Sequence, residues 1–146
     1  MIAIDTNILL YAYAADAPEN QAARDFLAEH SARSDVVISE FTLTELYLLL
    51  RNPAVLKNPL SAARAVEVIE AYRNHPRWRI PGFPPASRQL HNRLWEHAKR
   101  QQFARRRIYD VRTGLALIAF GVTDFATTNI KDFQDLGFDR VWNPIS

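Results

Sequence analysis

The chain has 146 residues, 48% of them hydrophobic and 23% charged, which suits one domain spanning 1–146 with its own core and excludes a disordered or low-complexity protein. It has no cysteine, so disulfides, zinc fingers and thiol redox chemistry are excluded, and any metal must be held by oxygen or imidazole. The net charge of +2 hides a division: residues 51–112 hold 14 of the 18 Lys+Arg and 4 of the 16 Asp+Glu, a basic middle of +10 between flanks summing to −8.

In chain order, Met1–Ile4 is an apolar run ending at Asp5, and Ile8–Tyr13 continues apolar, as expected of a buried strand feeding a helix through the junction Asp5-Thr6-Asn7. The stretch to Ala15 lacks a basic start and carries Asp5, so it is read as strand and helix instead of a signal sequence. No apolar run reaches membrane-spanning length, and a cytoplasmic protein with no membrane partner is expected. Pro18-Glu19 open a helix to about Ala32, and Val36–Ile38 make a strand. Ser39 caps a helix from Glu40 to Arg51 that Asn52-Pro53 ends, and a second Asn-Pro follows at 58–59. Ser61–Arg73 keeps helical spacing in Ala62, Ala65, Val66, Ile69 and Tyr72. Trp78–Ile80 reads as a strand, Pro81–Pro85 as a loop, and Ser87 to about Gln102 as a helix. Asp110–Phe120 is a helix closed by Gly121, followed by strands at Phe125–Thr127 and Arg140–Trp142. This alternation predicts an α/β fold: a three-layer α/β/α sandwich around a mostly parallel sheet of about five strands.

Four carboxylates stand where a reason is required. Asp5 follows the first strand directly, where open parallel sheets bind ligands, and it also suits an N-cap. Glu45 has Phe41, Thr42, Leu48 and Leu49 as helical neighbours, so it is either a buried acid compensated by a cation or an edge residue reaching water. Asp110 opens its helix after the basic run Lys99–Arg107, whose cations suit phosphate contact or a solvated helix end. Asp132 follows the polar turn Thr127-Thr128-Asn129. Together these residues point to an acidic cleft for a divalent cation. The four histidines are scattered, no P-loop or dinucleotide fingerprint occurs, and nucleotide cofactors are not expected.

The opening Ile2-Ala3-Ile4-Asp5-Thr6-Asn7, the Thr44-Glu45-Leu46 segment, Asp110 with its apolar helix to Gly121, and Ala126-Thr127-Thr128-Asn129-Ile130-Lys131-Asp132-Phe133 resemble, in order and spacing, the motifs of PIN-domain ribonucleases. Within that family they are similar to the toxin subunits of VapBC-type toxin–antitoxin pairs. The resemblance covers nearly the whole chain and implies an endoribonuclease dependent on Mg²⁺ or Mn²⁺. It further implies a cognate antitoxin that fills the cleft, a homodimer and a toxin–antitoxin hetero-oligomer. One departure is Asn129, where many family sequences carry Asp, which leaves Asp132 as the fourth carboxylate.

On this reading Asp5 and Asp110 ligate the principal metal, Glu45 and Asp132 complete its shell, and a bound water attacks an RNA phosphodiester. Thr6, Asn7, Thr127 and Asn129 position water or phosphate, while Arg105, Arg106, Arg107 and Arg112 engage the RNA. Trp78, Phe83 and Trp95 are candidate stacking aromatics or core. A haloacid-dehalogenase-like phosphatase wants an acid two residues after the first Asp, and Asn7 stands there, unable to donate the proton. The other alternative is a PIN-like module that binds RNA or protein without cutting.

Overall fold

The computed structural model describes all 146 residues. Strands β1 (Ile2–Ile4), β2 (Val36–Val37), β3 (Asp124–Ala126) and β4 (Arg140–Trp142) form one parallel sheet of four strands in the order β2-β1-β3-β4. The period of two along each strand sorts its side chains between two cores. Ile4, Val36 and Ala126 face a core closed by Leu9, Phe26, Leu46 and Ala65, which come from α1 (Thr6–Tyr13), α2 (Asn20–His30), α3 (Glu40–Leu50) and α4 (Ala62–Arg73). Ala3, Val37 and Phe125 face the other, closed by Leu94, Leu115 and Phe133 from α5 (Ser87–Ala98), α6 (Arg107–Phe120) and α7 (Ile130–Phe133). Strands covered on both faces read as continuous apolar runs. The three-layer sandwich expected from the alternation is the observed fold.

The sheet has four strands where about five were expected. Trp78–Ile80 lies beside β2, but only Arg79 bridges to Val37, through Ile38 N–H to Arg79 O and Arg79 N–H to Val36 O, both at 2.9 Å. Pro76 and Pro81 flank this segment and supply no ladder donors, so pairing stops after one residue. Trp78 is core: its indole N–H donates to His30 O at 3.0 Å and its ring stacks on His75.

Helix ends follow local chemistry. Ser39 accepts from Phe41 N at 3.0 Å and caps α3 as expected, and Ser61, read from sequence only as the start of a helical stretch, accepts from Arg64 N at 3.3 Å and caps α4. Helix α5 stops at Ala98, leaving Lys99–Arg106 as a loop, and α6 begins at Arg107. Asp110 is therefore not a cap. It sits in the first turn, where a negative charge is favoured by the exposed N–H groups. At the other end of α6, Gly121 takes φ 109° and its N–H closes on Ile118 O. Gly121→Ala is expected to lower stability by about 1–2 kcal/mol, because a side chain is strained in that region and its Cβ would stand 2.8 Å from Met1 Cε. Chemical denaturation checks this: an unchanged midpoint would contradict it. No helix is long and apolar enough to cross a membrane.

Candidate active site

The sheet order places a topological switch point between β1 and β3. From β1 the chain returns to one side as β2 and later to the other as β3, so a crevice opens at their carboxyl ends. Asp5 directly follows β1 and Thr127 directly follows β3, and their side chains meet there. Asp5 is 8% exposed. Its Oδ1 accepts from Thr6 N–H at 2.8 Å and its Oδ2 from the Thr127 hydroxyl at 2.6 Å. Thr127 Oγ1 in turn accepts from Asn129 N–H at 2.9 Å, which aims the hydroxyl at Asp5. Asp5 is thus an N-cap of α1 and a buried acid together. Those two bonds favour the carboxylate, but burial outweighs them, and with Glu45 nearby it lifts the Asp5 pKa to about 6.

Asp110 reaches the same place from α6. It is half-buried, and loss of water together with the charges of Glu45, Asp5 and Asp132 raises its pKa to about 7, against a smaller opposing pull from Arg107. The charges of the other three carboxylates selected from the sequence thus all reach Asp110.

Of the two readings of Glu45, the edge residue reaching water is the one observed. It is exposed, at the edge of α3, whose buried face is made by Thr42, Leu43, Leu46 and Leu50. The apolar neighbour Leu48 is itself exposed, so the stripe read from sequence does not bury the acid. Glu45 Oε2 accepts from the Thr6 hydroxyl at 3.2 Å, which ties the residue after Asp5 to α3.

Asp132 lies in α7, a four-residue helix that no sequence signal resolved. Its Oδ2 accepts from Asn129 Nδ2 at 2.6 Å, and its Oδ1 stands 3.5 Å from Arg107 Nε. Arg107 Nη2 also donates to the Asp132 carbonyl at 2.6 Å and to Asp135 Oδ1 at 2.9 Å. With a side chain 17% exposed and its guanidinium over the Phe103 ring, Arg107 is an internal cation that binds α6 to α7. It is not free for a phosphate, contrary to the expectation. Arg105 and Arg106 are exposed and unpaired in the preceding loop, so they remain available to a polyanion.

Of the other predicted positions, Asn7 is spent on Thr128 Oγ1 at 3.0 Å, and Arg112 stands between the Phe41 and Tyr109 rings at 5.1 and 5.2 Å. Phe41 and Tyr109 were not selected from sequence; only the adjacency of Tyr109 to Asp110 could have drawn notice. Buried polar atoms without a partner include Thr42 Oγ1, Arg107 Nε and Arg112 Nε, all on the two helices that carry Glu45 and Asp110. The histidines bond locally or pack, as expected.

An all-oxygen donor set suits a hard divalent cation, and the pKa values of Asp5 and Asp110 stay raised by burial and by neighbouring acids, the pull of Arg107 on Asp110 being the smaller effect. No three acidic or imidazole side chains are gathered tightly enough to hold an ion by themselves. Mg²⁺ requires only one or two direct carboxylates, with water completing its shell. The residues therefore fit such an ion in chemistry. The larger clefts, about 420 Å³ each, lie elsewhere, one at Tyr13–Asp16 and Leu56–Asn58 and one at Pro81–Pro85 and Ala116–Phe120. None of them is lined by the four carboxylates.

The PIN domain family matches residues 2–111. The chain is 47% identical to Ribonuclease VapC24 of Mycobacterium tuberculosis over 146 residues, all of this chain and 98% of that protein. Among solved structures it is similar to Mycobacterium tuberculosis VapC20, described as a Sarcin-Ricin loop cleaving toxin, with TM-score 0.67 and 19% identity over 94% of this chain and 96% of that one. FitAcB of Neisseria gonorrhoeae superposes with TM-score 0.68 and 21% identity over 99% and 98% of the two chains. VapBC2 of Rickettsia felis, solved on a promoter DNA fragment, gives TM-score 0.65 and 18% identity over 96% and 98%. At those identities the structures share the fold.

Proposed function

The chain belongs to the PIN-domain family, and on that premise we propose that it is a Mg²⁺- or Mn²⁺-dependent endoribonuclease serving as the toxin of a toxin–antitoxin pair. The observation that carries the reading is the pair Asp5 and Asp110, raised to about 6 and 7 at the carboxyl end of a parallel sheet with Glu45 and Asp132 beside them. Four acids with only Arg107 set against them have use for a cation, and an open crevice suits a polymer better than an enclosed small molecule.

Asp5 and Asp110 would hold the ion, with Glu45 and Asp132 orienting its waters. Each Asp5 oxygen already accepts one bond and keeps further lone-pair capacity, so Thr6 and Thr127 fix the carboxylate without exhausting it. When bound, the ion supplies Lewis acidity that lowers the pKa of water and neutralises charge building on the phosphate. Thr6 holds Glu45 in reach of the crevice, and Asn129 and Arg107 hold Asp132. Arg105 and Arg106 lie free for the RNA backbone.

The resemblance to VapC24, and to neighbours solved as VapBC assemblies, supports a cognate antitoxin as partner. RNA incubated with the purified chain should be cut with Mn²⁺ or Mg²⁺ and left whole after chelation by EDTA. Growth arrest on expression should be relieved by co-expressing the antitoxin. Cleavage that persists undiminished in EDTA would sink the metal-dependent reading. Failure to cut any RNA would favour the non-catalytic module.

A further inference from the structure

Beside the carboxylates lies a feature the reaction does not use. Tyr109 and Arg112 are three residues apart on α6 and so share a face, flanking Asp110. Phe41 and Glu45 are four apart on α3 and also share a face. Between the helices the Arg112 guanidinium stands over the Tyr109 ring at 5.2 Å and the Phe41 ring at 5.1 Å, and Phe41 meets Phe83 edge-on at 5.2 Å. The result is a row of four flat groups, Tyr109, Arg112, Phe41 and Phe83, along the rim of the acidic crevice.

Both ends of the row face water, with Tyr109 67% and Phe83 86% exposed. Large aromatics are not left bare for folding, since covering them removes apolar surface from water. The cation inside the row is also unusual. Arg112 forms no ion pair, and its buried Nε has no hydrogen-bond partner. A structural arginine would be expected to find an acid, as Arg107 does. Arg112 and Phe83 further line a small cleft of about 100 Å³ with Phe41, Pro84, Leu90 and His91, room for about three waters. Exposed aromatic rings at the two ends with an unpaired guanidinium between them match the two halves of a nucleotide.

We propose that this row is a stacking platform for an unpaired nucleobase next to the scissile phosphate, with Arg112 contacting the phosphate and the exposed ring of Tyr109 or Phe83 taking the base. The proposal rests on the ribonuclease reading for its position beside the cut but makes a separate claim, that Tyr109, Arg112 and Phe83 supply the contact to an unpaired base and its phosphate. A paired base has both faces covered by its neighbours and offers the platform nothing.

The test uses the full chain without divalent ions, so that no RNA is cut, and two probes: a short single-stranded RNA carrying a fluorescent purine quenched by stacking, and the same RNA fully paired. The wild type is expected to quench the single strand and bind it more tightly than the duplex. Tyr109→Leu and Phe83→Leu, at exposed positions where folding is not at risk, should together lose the quenching and weaken single-strand binding by roughly tenfold. Tyr109→Phe, which keeps the ring, should restore most of it, and duplex binding should not move. Equal quenching and affinity in the double variant, or a wild type that prefers duplex, overturns the platform. So does a double variant that keeps RNA binding and loses antitoxin binding, because the row is then a protein contact. Wild-type stacking on RNA that is never cut with Mn²⁺ leaves the platform standing and removes the ribonuclease reading, so the two failures are distinguishable.

Discussion

Asp110→Asn is expected to lower RNA cleavage by on the order of 10³-fold with folding intact, and Asp5→Asn to do the same. Each substitution keeps size and removes the charge; at position 5 the amide oxygen can still accept from Thr6 N–H, while the amide NH₂ replaces the acceptor of the Thr127 hydroxyl, which must turn to accept in its place. Asp110 makes no side-chain hydrogen bond and is surrounded by acids, so loss of its charge relieves repulsion and leaves no buried partner stranded. The retained fold would be visible as an unchanged or higher melting temperature. Asp132→Asn should cost less, on the order of 10–100-fold, because that carboxylate is already engaged by Asn129 and Arg107 and acts as an outer support. Rates for the three purified variants on one RNA, with Mn²⁺ at saturation, test the order. An Asp132→Asn enzyme as impaired as Asp110→Asn would place Asp132 among the direct ligands and require Arg107 to release it.

The graded roles of the carboxylates were only half visible in the chain. Asp5 was legible because a short, fully apolar strand ends in a polar triplet, and such a break has few meanings in a parallel sheet. Ser39 and Gly121 were legible because caps are local chemistry. What failed depends on contacts distant in sequence. The start of α6 was misplaced because Arg105, Arg106 and Arg107 look alike as a basic run, yet Arg107 turns inward to Asp132 and Asp135 and begins the helix. Helix α7 is too short to show a period. Glu45 could not be placed between core and edge because Leu48 reads as core in sequence, and only the packing of α3 shows that side of the helix facing water. The row from Tyr109 to Phe83 joins two helices and a proline loop, which no local pattern couples.

The last expected result concerns the ion-free protein, whose stability should fall as pH rises from about 5 to about 8. In the unfolded chain Asp5 titrates near its ordinary 3.8, whereas in the fold it titrates at about 6, and Asp110 moves from 3.8 to about 7. Between those values the folded state holds more protons than the unfolded one, so the slope of stability against pH is negative. The stabilisation is complete below about 4 and is lost as pH passes the folded-state values. Full ionisation of Asp5 costs on the order of 3 kcal/mol, part of it already incurred at pH 5, and half-buried Asp110 adds on the order of 1 kcal/mol after solvent screening. The net fall from pH 5 to pH 8 should be on the order of 2 kcal/mol, about 5 °C in melting temperature for a domain of this size. A divalent cation binds the ionised carboxylates and should reverse the loss. At pH 8, free Mn²⁺ at a hundred times its Kd is expected to add about 2.7 kcal/mol, and at pH 5 much less. Asp5→Asn should flatten the ion-free profile and remove most of the Mn²⁺ shift. Thermal melts of both proteins across this range, with and without Mn²⁺, decide the matter. A wild type whose ion-free stability rises with pH, or whose Mn²⁺ shift survives Asp5→Asn, would show that the crevice's negative charge is compensated within the fold.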